Sequence, residues 1–238
     1  MNRKQAAAAA EELTSVTFVP LPKTSTPAAL PSVAFRATPM VSQVLSELRQ
    51  PLTELARRIH RVGAVSGGTV AMLTGCRRSV GCTTLALALA AAAAEERSVL
   101  LVDGNFCSPG LASLMGLLPS RGWDEDALES GALEQAVQPM DSREPWGVLG
   151  LKSPVSAETA RLCMAELGES LARFRQHYSL VLLDTGSVWD SGRAWAASVD
   201  VALVVCDSGR GEADEWAGAW DCLEEAGTHV MGIVETFT

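Results

Sequence analysis

The residues best placed to do chemistry lie in a loop between an apolar run and an apolar helix. Residues 69–89 read TVAMLTGCRRSVGCTTLALAL, the strand–loop–helix pattern of a site for a nucleoside triphosphate. Amides at the start of such a helix hold phosphates. The expected nucleotide-binding residues are therefore Arg77, Arg78, Ser79, Val80, Gly81, Cys82, Thr83 and Thr84.

The loop departs from the usual pattern at the residue that carries its positive charge. The pattern G-x-x-x-x-G-K-[ST] places a lysine on the β- and γ-phosphates, but here Cys82 takes the lysine position and Cys76 takes that of the first glycine. The chain has three lysines, Lys4, Lys23 and Lys152, and none is near the loop in sequence. Removal of one such electrostatic group costs about 10²–10³ in rate, whereas the loop amides can still bind a nucleotide. We therefore expect weakened nucleotide handling and little or no phosphotransfer.

Two aspartates follow apolar runs downstream of the loop. Asp103 ends the run VLLVD, and Asp184 ends LVLLD. Carboxyl ends of parallel strands meet along one edge of a sheet, where ligands bind, so both carboxylates are expected near Thr83. Carboxylate and hydroxyl oxygens suit Mg²⁺. We expect Thr83, Asp103 and Asp184 to bind the metal and both aspartates to be catalytic, although a strand-end aspartate often only caps the following turn.

Beyond residue 67, apolar runs that suit strands alternate with longer helical patterns. Strands are expected at 69–74, 98–103, 146–150, 179–184, 199–206 and 229–234, and helices at 83–95, 110–116, 124–137, 156–176, 190–197 and 212–226. This alternation predicts an α/β domain over 67–238 with a mostly parallel, doubly wound sheet.

Two segments precede that domain. Residues 1–40 are rich in Pro, Ala, Ser and Thr, which predicts a flexible tail. Residues 41–66 show a helical apolar stripe and form a helical lead-in, which Pro51 should interrupt or restart.

Charge and cysteine usage narrow the function classes. Net charge is −9, and residues 68–238 hold eleven basic against twenty-four acidic residues, which argues against nucleic-acid binding. The basic cluster Arg57, Arg58, His60 and Arg61 is expected to be a solvated helix face rather than a binding surface. No run of about 18 apolar residues predicts a membrane span. Six cysteines without Cys-x-x-Cys spacing suit reduced thiols, so a cytoplasmic protein is expected.

Taken in order, these segments resemble the MinD/ParA superfamily of deviant P-loop ATPases, and most of all the cytoplasmic domain of bacterial tyrosine kinases of exopolysaccharide and capsule biosynthesis. The matching stretches are 74–84, 100–111, 122–136 and 179–188, and the likeness spans roughly 47–235. It implies a three-layer P-loop NTPase fold that uses ATP and Mg²⁺. It also implies a partner, either a membrane polysaccharide co-polymerase or an active paralogue, which would hold the protein at the inner membrane without insertion.

Departures from that family bear on its activity. Asn105 replaces the second aspartate of the family's D-A-D motif, and Cys107 replaces the arginine that follows. The kinases phosphorylate a C-terminal tyrosine cluster, whereas Tyr178 is this chain's one tyrosine. The family's E-x-x-R-x-x-R oligomerisation helix has a counterpart in Glu54, Arg57 and His60, which implies a homo-oligomer through 41–62.

Two functions remain open. One is a degenerate kinase-like protein that acts as a regulator or scaffold in polysaccharide export. The other is an active MinD/ParA-type ATPase switch, in which Arg77, at the place of the superfamily's signature lysine, takes over the phosphate contact. A smaller hypothesis concerns Cys82, whose thiol at a helix N-terminus beside arginines should have a lowered pKa.

Overall fold

The computed structural model describes residues 33–63, 67–117, 122–125, 133–207 and 213–236. The strands are β1 Thr69–Gly75, β2 Val99–Asp103, β3 Gln138–Met140, β4 Trp146–Leu149, β5 Leu180–Ser187, β6 Val201–Asp207 and β7 His229–Thr236. The helices are α1 Pro39–Gly63, α2 Cys82–Ala93, α3 Leu111–Leu114, α4 Leu133–Ala136, α5 Ala157–His177, α6 Arg193–Trp195 and α7 Ala213–Glu225. A π-helical turn, Val188–Gly192, follows β5, and a 3-10 turn, Ala196–Ser198, follows α6. Most of the predicted flexible tail, residues 1–32, lies outside the described residues.

All seven strands form one sheet in the order β3-β4-β2-β5-β1-β6-β7. The pairings are parallel except for β3, which runs antiparallel to β4 at the edge of the sheet. Every residue of β1 and of β6 is buried, so both faces of the sheet are covered by other elements. The predicted α/β fold with a mostly parallel sheet is therefore confirmed. The sequence analysis missed β3, whose three residues include a proline and are too few for a periodic pattern.

The helical lead-in is one helix rather than two. The prediction that Pro51 interrupts or restarts it was wrong, because α1 continues from Pro39 to Gly63 through Pro51. Leu45 lies before the proline and Leu52 and Ile59 lie after it, and all three are buried against the core. Burial of this stripe on both sides outweighs the cost of about 3 kcal/mol that a proline brings to a helix interior.

The sheet brings the carboxyl ends of its central strands to one edge. Asp103 on β2 lies opposite Asp184 on β5, and Gly75 at the end of β1 lies opposite Ser187. β5 continues three residues beyond its predicted end, as far as Ser187. The loop after β1 therefore begins at the same edge of the sheet as both aspartates, with Asp184 on the neighbouring strand and Asp103 one strand further.

No helix within the described residues is long and apolar enough to cross a membrane.

Candidate functional site

The loop after β1 has the backbone of a phosphate site. At Gly75 a side chain would not fit, since a Cβ would lie 2.6 Å from the Arg77 carbonyl oxygen. Gly81 precedes α2 with φ +83°, and Ser79 has φ +60°, a conformation in which non-glycine residues are uncommon. No side chain caps the start of the twelve-residue helix α2, because its N-cap residue is Gly81. The first amides of α2 therefore face the loop. This arrangement favours an anion at the start of α2.

The predicted phosphate-binding residues do not all present their side chains to this space. Val80 is buried, so only its backbone faces the loop. Ser79 is exposed, whereas Thr83 and Thr84 on the first turn of α2 are half-buried. The residues that can contact a phosphate through side chains are therefore the threonines, Ser79 and the two arginines.

Three other elements hold the loop by its backbone. The Cys76 amide donates to the Val205 carbonyl on β6 at 2.9 Å. The Trp189 indole Nε1 donates to the Cys76 carbonyl at 3.0 Å. The Thr236 hydroxyl, at the end of β7, donates to the Val80 carbonyl at 2.7 Å. The loop conformation is thus set by contacts that no local sequence pattern reveals.

Both loop arginines are paired with carboxylates of the chain. Arg77 Nη2 lies 3.2 Å from Asp207 Oδ2, and Arg77 Nε lies 3.4 Å from Glu215 Oε2. Arg78 binds Asp190 through two hydrogen bonds of 2.7 Å each, which raise the pKa of the Arg78 guanidinium. In this conformation the positive charge of the loop points at acidic side chains of β6, α7 and the π-helical turn.

Cys82 turns its thiol into the protein. It is 6% exposed and lies close to the Asp184 carboxylate. Burial, and then the negative charge of Asp184, raise the pKa of the Cys82 thiol well above its usual value. The hypothesis of a lowered thiol pKa was therefore wrong, because desolvation and a neighbouring carboxylate outweigh the helix N-terminus.

Asp184 is the carboxylate best suited to a cation. It is fully buried, and its Oδ1 accepts a hydrogen bond of 3.3 Å from the Gly186 amide. Its Oδ2 lacks a hydrogen bond of good geometry among the described residues. Burial raises the pKa of Asp184, although the Thr83 hydroxyl beside it opposes that shift. A buried carboxylate with a spare oxygen next to a threonine hydroxyl fits Mg²⁺. The groups that shift the pKa of Asp184 include no cationic side chain that could take the place of the ion.

Asp103 is also fully buried, but both of its carboxylate oxygens already accept backbone hydrogen bonds. Its Oδ1 accepts from the Asn105 amide and its Oδ2 accepts from the Leu111 amide, each at 3.2 Å. Burial and the charge of Asp184 raise the pKa of Asp103 well above its usual value. The two aspartates therefore differ, because Asp103 caps the following turn while Asp184 keeps an oxygen for a ligand.

Several residues of the site escaped sequence analysis. These are Trp189, Asp190, Asp207, Glu215 and Thr236, which contact the loop or its arginines. Asp207 ends the apolar strand β6 much as the other two aspartates end theirs, so the same pattern could have found it. The others follow from tertiary contacts alone.

Tryptophans also support the end of β2 from inside. Trp123 Nε1 donates to the Asp103 carbonyl at 2.9 Å, and Trp195 Nε1 donates to the Gly104 carbonyl at 3.0 Å. Phe106 packs between their rings, with centroids 5.7 Å and 5.6 Å away. These buried tryptophans are packing residues that position Asp103.

The site and the fold were compared with known proteins. No protein-family model matches the chain, and no curated protein matches it. Solved structures do match. The kinase domain of the Escherichia coli tyrosine kinase ETK superposes with a TM-score of 0.72 at 20% identity, over 85% of this chain and 81% of that chain. The VpsO kinase domain gives 0.66 at 22% identity, over 81% of this chain and 98% of that chain.

A second group of similar structures contains nucleotide-dependent ATPases. The septum site-determining protein MinD from Pyrococcus horikoshii OT3, complexed with Mg-ADP, superposes with a TM-score of 0.55 at 22% identity. That match covers 70% of this chain and 69% of MinD. The structural neighbours are thus tyrosine kinase domains and MinD-type P-loop proteins, and the chain has the fold that they share.

Proposed function

We propose that this chain is a degenerate kinase-like P-loop protein that acts as a regulator or scaffold, with weak or absent phosphotransfer. The observation that carries the proposal is the environment of Cys82. A buried thiol occupies the lysine position beside the Asp184 carboxylate, and the raised pKa of this thiol keeps it neutral. Nothing at that position can neutralise charge that develops on a transferring phosphoryl group.

The remaining residues suit nucleotide binding better than catalysis. A nucleotide with Mg²⁺ would supply phosphates for the α2 amides and a cation for Thr83 and Asp184. The chain itself orients such a ligand through the loop backbone, which β6, β7 and Trp189 hold. Asp103 keeps the following turn in place by accepting two backbone hydrogen bonds. ATP and Mg²⁺ are therefore proposed as weakly bound ligands.

The rival proposal, an active ATPase switch that uses Arg77, meets an energetic obstacle. Arg77 would have to leave Asp207, which is 2% exposed, and Glu215 before it could contact a phosphate. Loss of contacts between a guanidinium and a largely buried carboxylate costs a few kcal/mol. The rival therefore requires a rearranged loop, and Arg77 variants test it.

Tyrosine-cluster phosphorylation within the chain has no acceptor. Tyr178 is the sole tyrosine of the sequence, and it lies between the end of α5 at His177 and the start of β5 at Leu180. Its ring packs near Phe174, and burial raises the pKa of its hydroxyl. We propose that the protein acts through a partner, a membrane polysaccharide co-polymerase or an active paralogue, in the cytoplasm or at the inner membrane through that partner.

Self-association through α1 belongs to the same proposal. Glu54 and Arg57 lie on the exposed face of α1, but Arg57 already forms hydrogen bonds of 2.9 Å and 2.5 Å with Glu96 of the same chain. His60 faces inward, with Nδ1 3.2 Å from the Ser179 carbonyl oxygen. An oligomer through 41–62 would therefore use Glu54 and its neighbours rather than His60.

Binding calorimetry tests the proposal. ATP and ADP would be titrated into the wild-type chain with and without Mg²⁺, and into Cys82→Lys, Cys82→Met, Asp103→Ala and Asp184→Asn. We expect weak binding in wild type and at least about 10-fold tighter Mg-ATP binding in Cys82→Lys, because a lysine restores the missing charge. Cys82→Met controls for side-chain size without charge.

Hydrolysis assays on the same proteins decide between the two functions. Little or no ATP turnover in wild type supports the degenerate protein. Arg36, an exposed arginine before α1, provides the control variant Arg36→Ala. Turnover that disappears in Arg77→Ala and Asp184→Asn, but survives in Arg36→Ala, would establish the active switch and overturn our proposal.

A further inference from the structure

An apolar groove lies between α1 and the last strand of the sheet. Its volume is about 380 Å³, and its floor is formed by Leu203 of β6 with Met231 and Ile233 of β7. Leu55 and Val62 of α1 form the opposite wall, and Val62 is 46% exposed. The groove is therefore large enough for several apolar side chains and is open at the surface.

The groove runs along an open sheet edge. β7 is the last strand in the sheet order, and no strand among the described residues lies beyond it. Its central segment Val230–Val234 carries neither a charge nor a proline, the usual protection of an exposed edge. The outward backbone groups of β7 can pair with an extended segment, whose side chains on one face would enter the groove.

The rim of the groove carries excess positive charge. Arg58 and Arg61 line it, and each side chain is 66% exposed. Both contact the same carboxylate, that of Glu54, at 3.4 Å and 3.0 Å. This carboxylate also lies 3.6 Å from Arg57 Nη1, so it serves more than one guanidinium group. The shortage of negative charge favours an occupant with carboxylates beside its apolar residues.

The chain itself contains such a segment outside the described residues. Residues 11–19 read EELTSVTFV, two carboxylates followed by a run in which Val16 and Phe18 alternate with Ser15 and Thr17. Between residues 5 and 22, Glu11 and Glu12 are the only charged residues. We propose that residues 11–19 bind in cis as an added strand along β7, with Val16 and Phe18 in the groove and the two glutamates near Arg58 and Arg61.

The chain between the two segments is long enough. Val33 lies beside β3 at the opposite edge of the sheet, where its amide bonds to the Pro139 carbonyl. Because Val33 pairs outside β3 and the added strand would lie outside β7, eight inter-strand spacings, about 38 Å, separate them. The fourteen residues from Val19 to Val33 reach about 46 Å when extended. A second copy of the chain, paired edge to edge through β7, would instead bring four rim arginines together, which disfavours that occupant.

Backbone amide exchange on the full-length chain tests the inference. The outward amides of β7 should exchange about 10-fold more slowly in wild type than in Phe18→Asp, because the charge expels the segment from the groove. Ser25→Asp adds the same charge to the same tail outside the apolar run and should leave the exchange unchanged. Equal, fast exchange in all three proteins would overturn the inference.

Charge-reversal variants provide a second, independent test of the inference. Arg61→Glu should remove the protection, and the added changes Glu11→Arg and Glu12→Arg should restore it. Arg49→Glu, on the same helix but away from the groove, is the matched control. Protection that rises with protein concentration and is unchanged in Phe18→Asp would assign the edge to a second copy of the folded domain. Protection that rises with protein concentration and is lost in Phe18→Asp would assign it to the tail of another chain. Either result overturns binding in cis. The outcome is independent of nucleotide binding, so it cannot be confused with failure of the proposed function.

Discussion

At the scale of single residues, the site is defined by the cysteine that replaces the lysine of the phosphate-binding loop. Cys82 sits where a cation normally balances phosphate, and its thiol instead faces the buried carboxylate of Asp184. The neighbouring Asp103 adds a second buried carboxylate across the strand pair. Two buried acids without a compensating cation raise each other's cost of ionisation, which makes the site a source of instability unless an ion binds.

This argument predicts the pH dependence of stability. For a carboxyl group whose pKa is raised in the folded state, the stabilising proton is fully bound below the unfolded pKa, near 3.8, and is lost as pH rises toward the folded pKa. Asp184→Asn should therefore raise the Tm at neutral pH without Mg²⁺ by about 2–4 °C, equivalent to about 1 kcal/mol. The gain should shrink as pH falls toward 4, as thermal unfolding at several pH values would reveal.

Asp200→Asn is the matched control for that measurement. Asp200 accepts hydrogen bonds of 2.6 Å and 2.8 Å from Arg175, so its neutralisation should lower the Tm. Mg²⁺ should stabilise wild type but not Asp184→Asn. A lower Tm for Asp184→Asn at pH 7 would show that its carboxylate is not the strained group we describe.

At the scale of elements, the loop is a structure held by its neighbours. β7 reaches it through Thr236, whose hydroxyl contacts both the Val80 carbonyl at 2.7 Å and the Cys206 carbonyl at 3.1 Å. β7 also borders the groove beside α1. The last strand therefore joins the edge of the sheet to the loop, and a change in β7 should alter the stability of the loop.

Thr236→Val measures this connection. The variant keeps the shape of the side chain and removes the hydroxyl, which should cost about 1 kcal/mol and speed amide exchange in residues 79–82 by about 5-fold. Thr53→Val removes a hydroxyl that bonds only within α1, to the Arg49 carbonyl, and should leave the loop unchanged. Unaltered exchange in Thr236→Val would mean that the loop does not depend on β7.

At the scale of the whole molecule, α1 behaves as part of the domain rather than as an appendage. α1 packs on α2 and β1, and Ile59 and Ala56 of its buried stripe are fully inaccessible. Arg57 and Arg49 also form ion pairs with Glu96 and Glu95, which lie in the turn after α2. We therefore expect α1 to unfold together with the sheet in one cooperative transition.

Ile59→Ala tests that expectation. Removal of a fully buried isoleucine side chain should lower the free energy of unfolding by about 2–4 kcal/mol in a single transition followed by circular dichroism. Val62→Ala, three residues later and 46% exposed, should cost much less. A separate early transition that affects α1 alone would contradict a shared core.

The sequence by itself determined the alternation of strands and helices, the position of the loop and the two strand-end aspartates. These features follow from local rules, since apolar runs, glycines and terminal carboxylates have meanings that depend on near neighbours in sequence. Six of the seven strands and the shared edge of Asp103 and Asp184 were predictable for this reason. The continuity of α1 through Pro51 was not, because burial overrode a local rule.

Tertiary structure decided the chemistry around that loop. It placed the Cys82 thiol against Asp184, gave Arg77 and Arg78 acidic partners and made Asp103 a turn cap while Asp184 kept a spare oxygen. Each of these facts joins residues about a hundred positions apart or depends on burial, which sets the sign of a pKa shift. Desolvation and long-range pairing are properties of the folded chain, so no spacing within the loop could have revealed them.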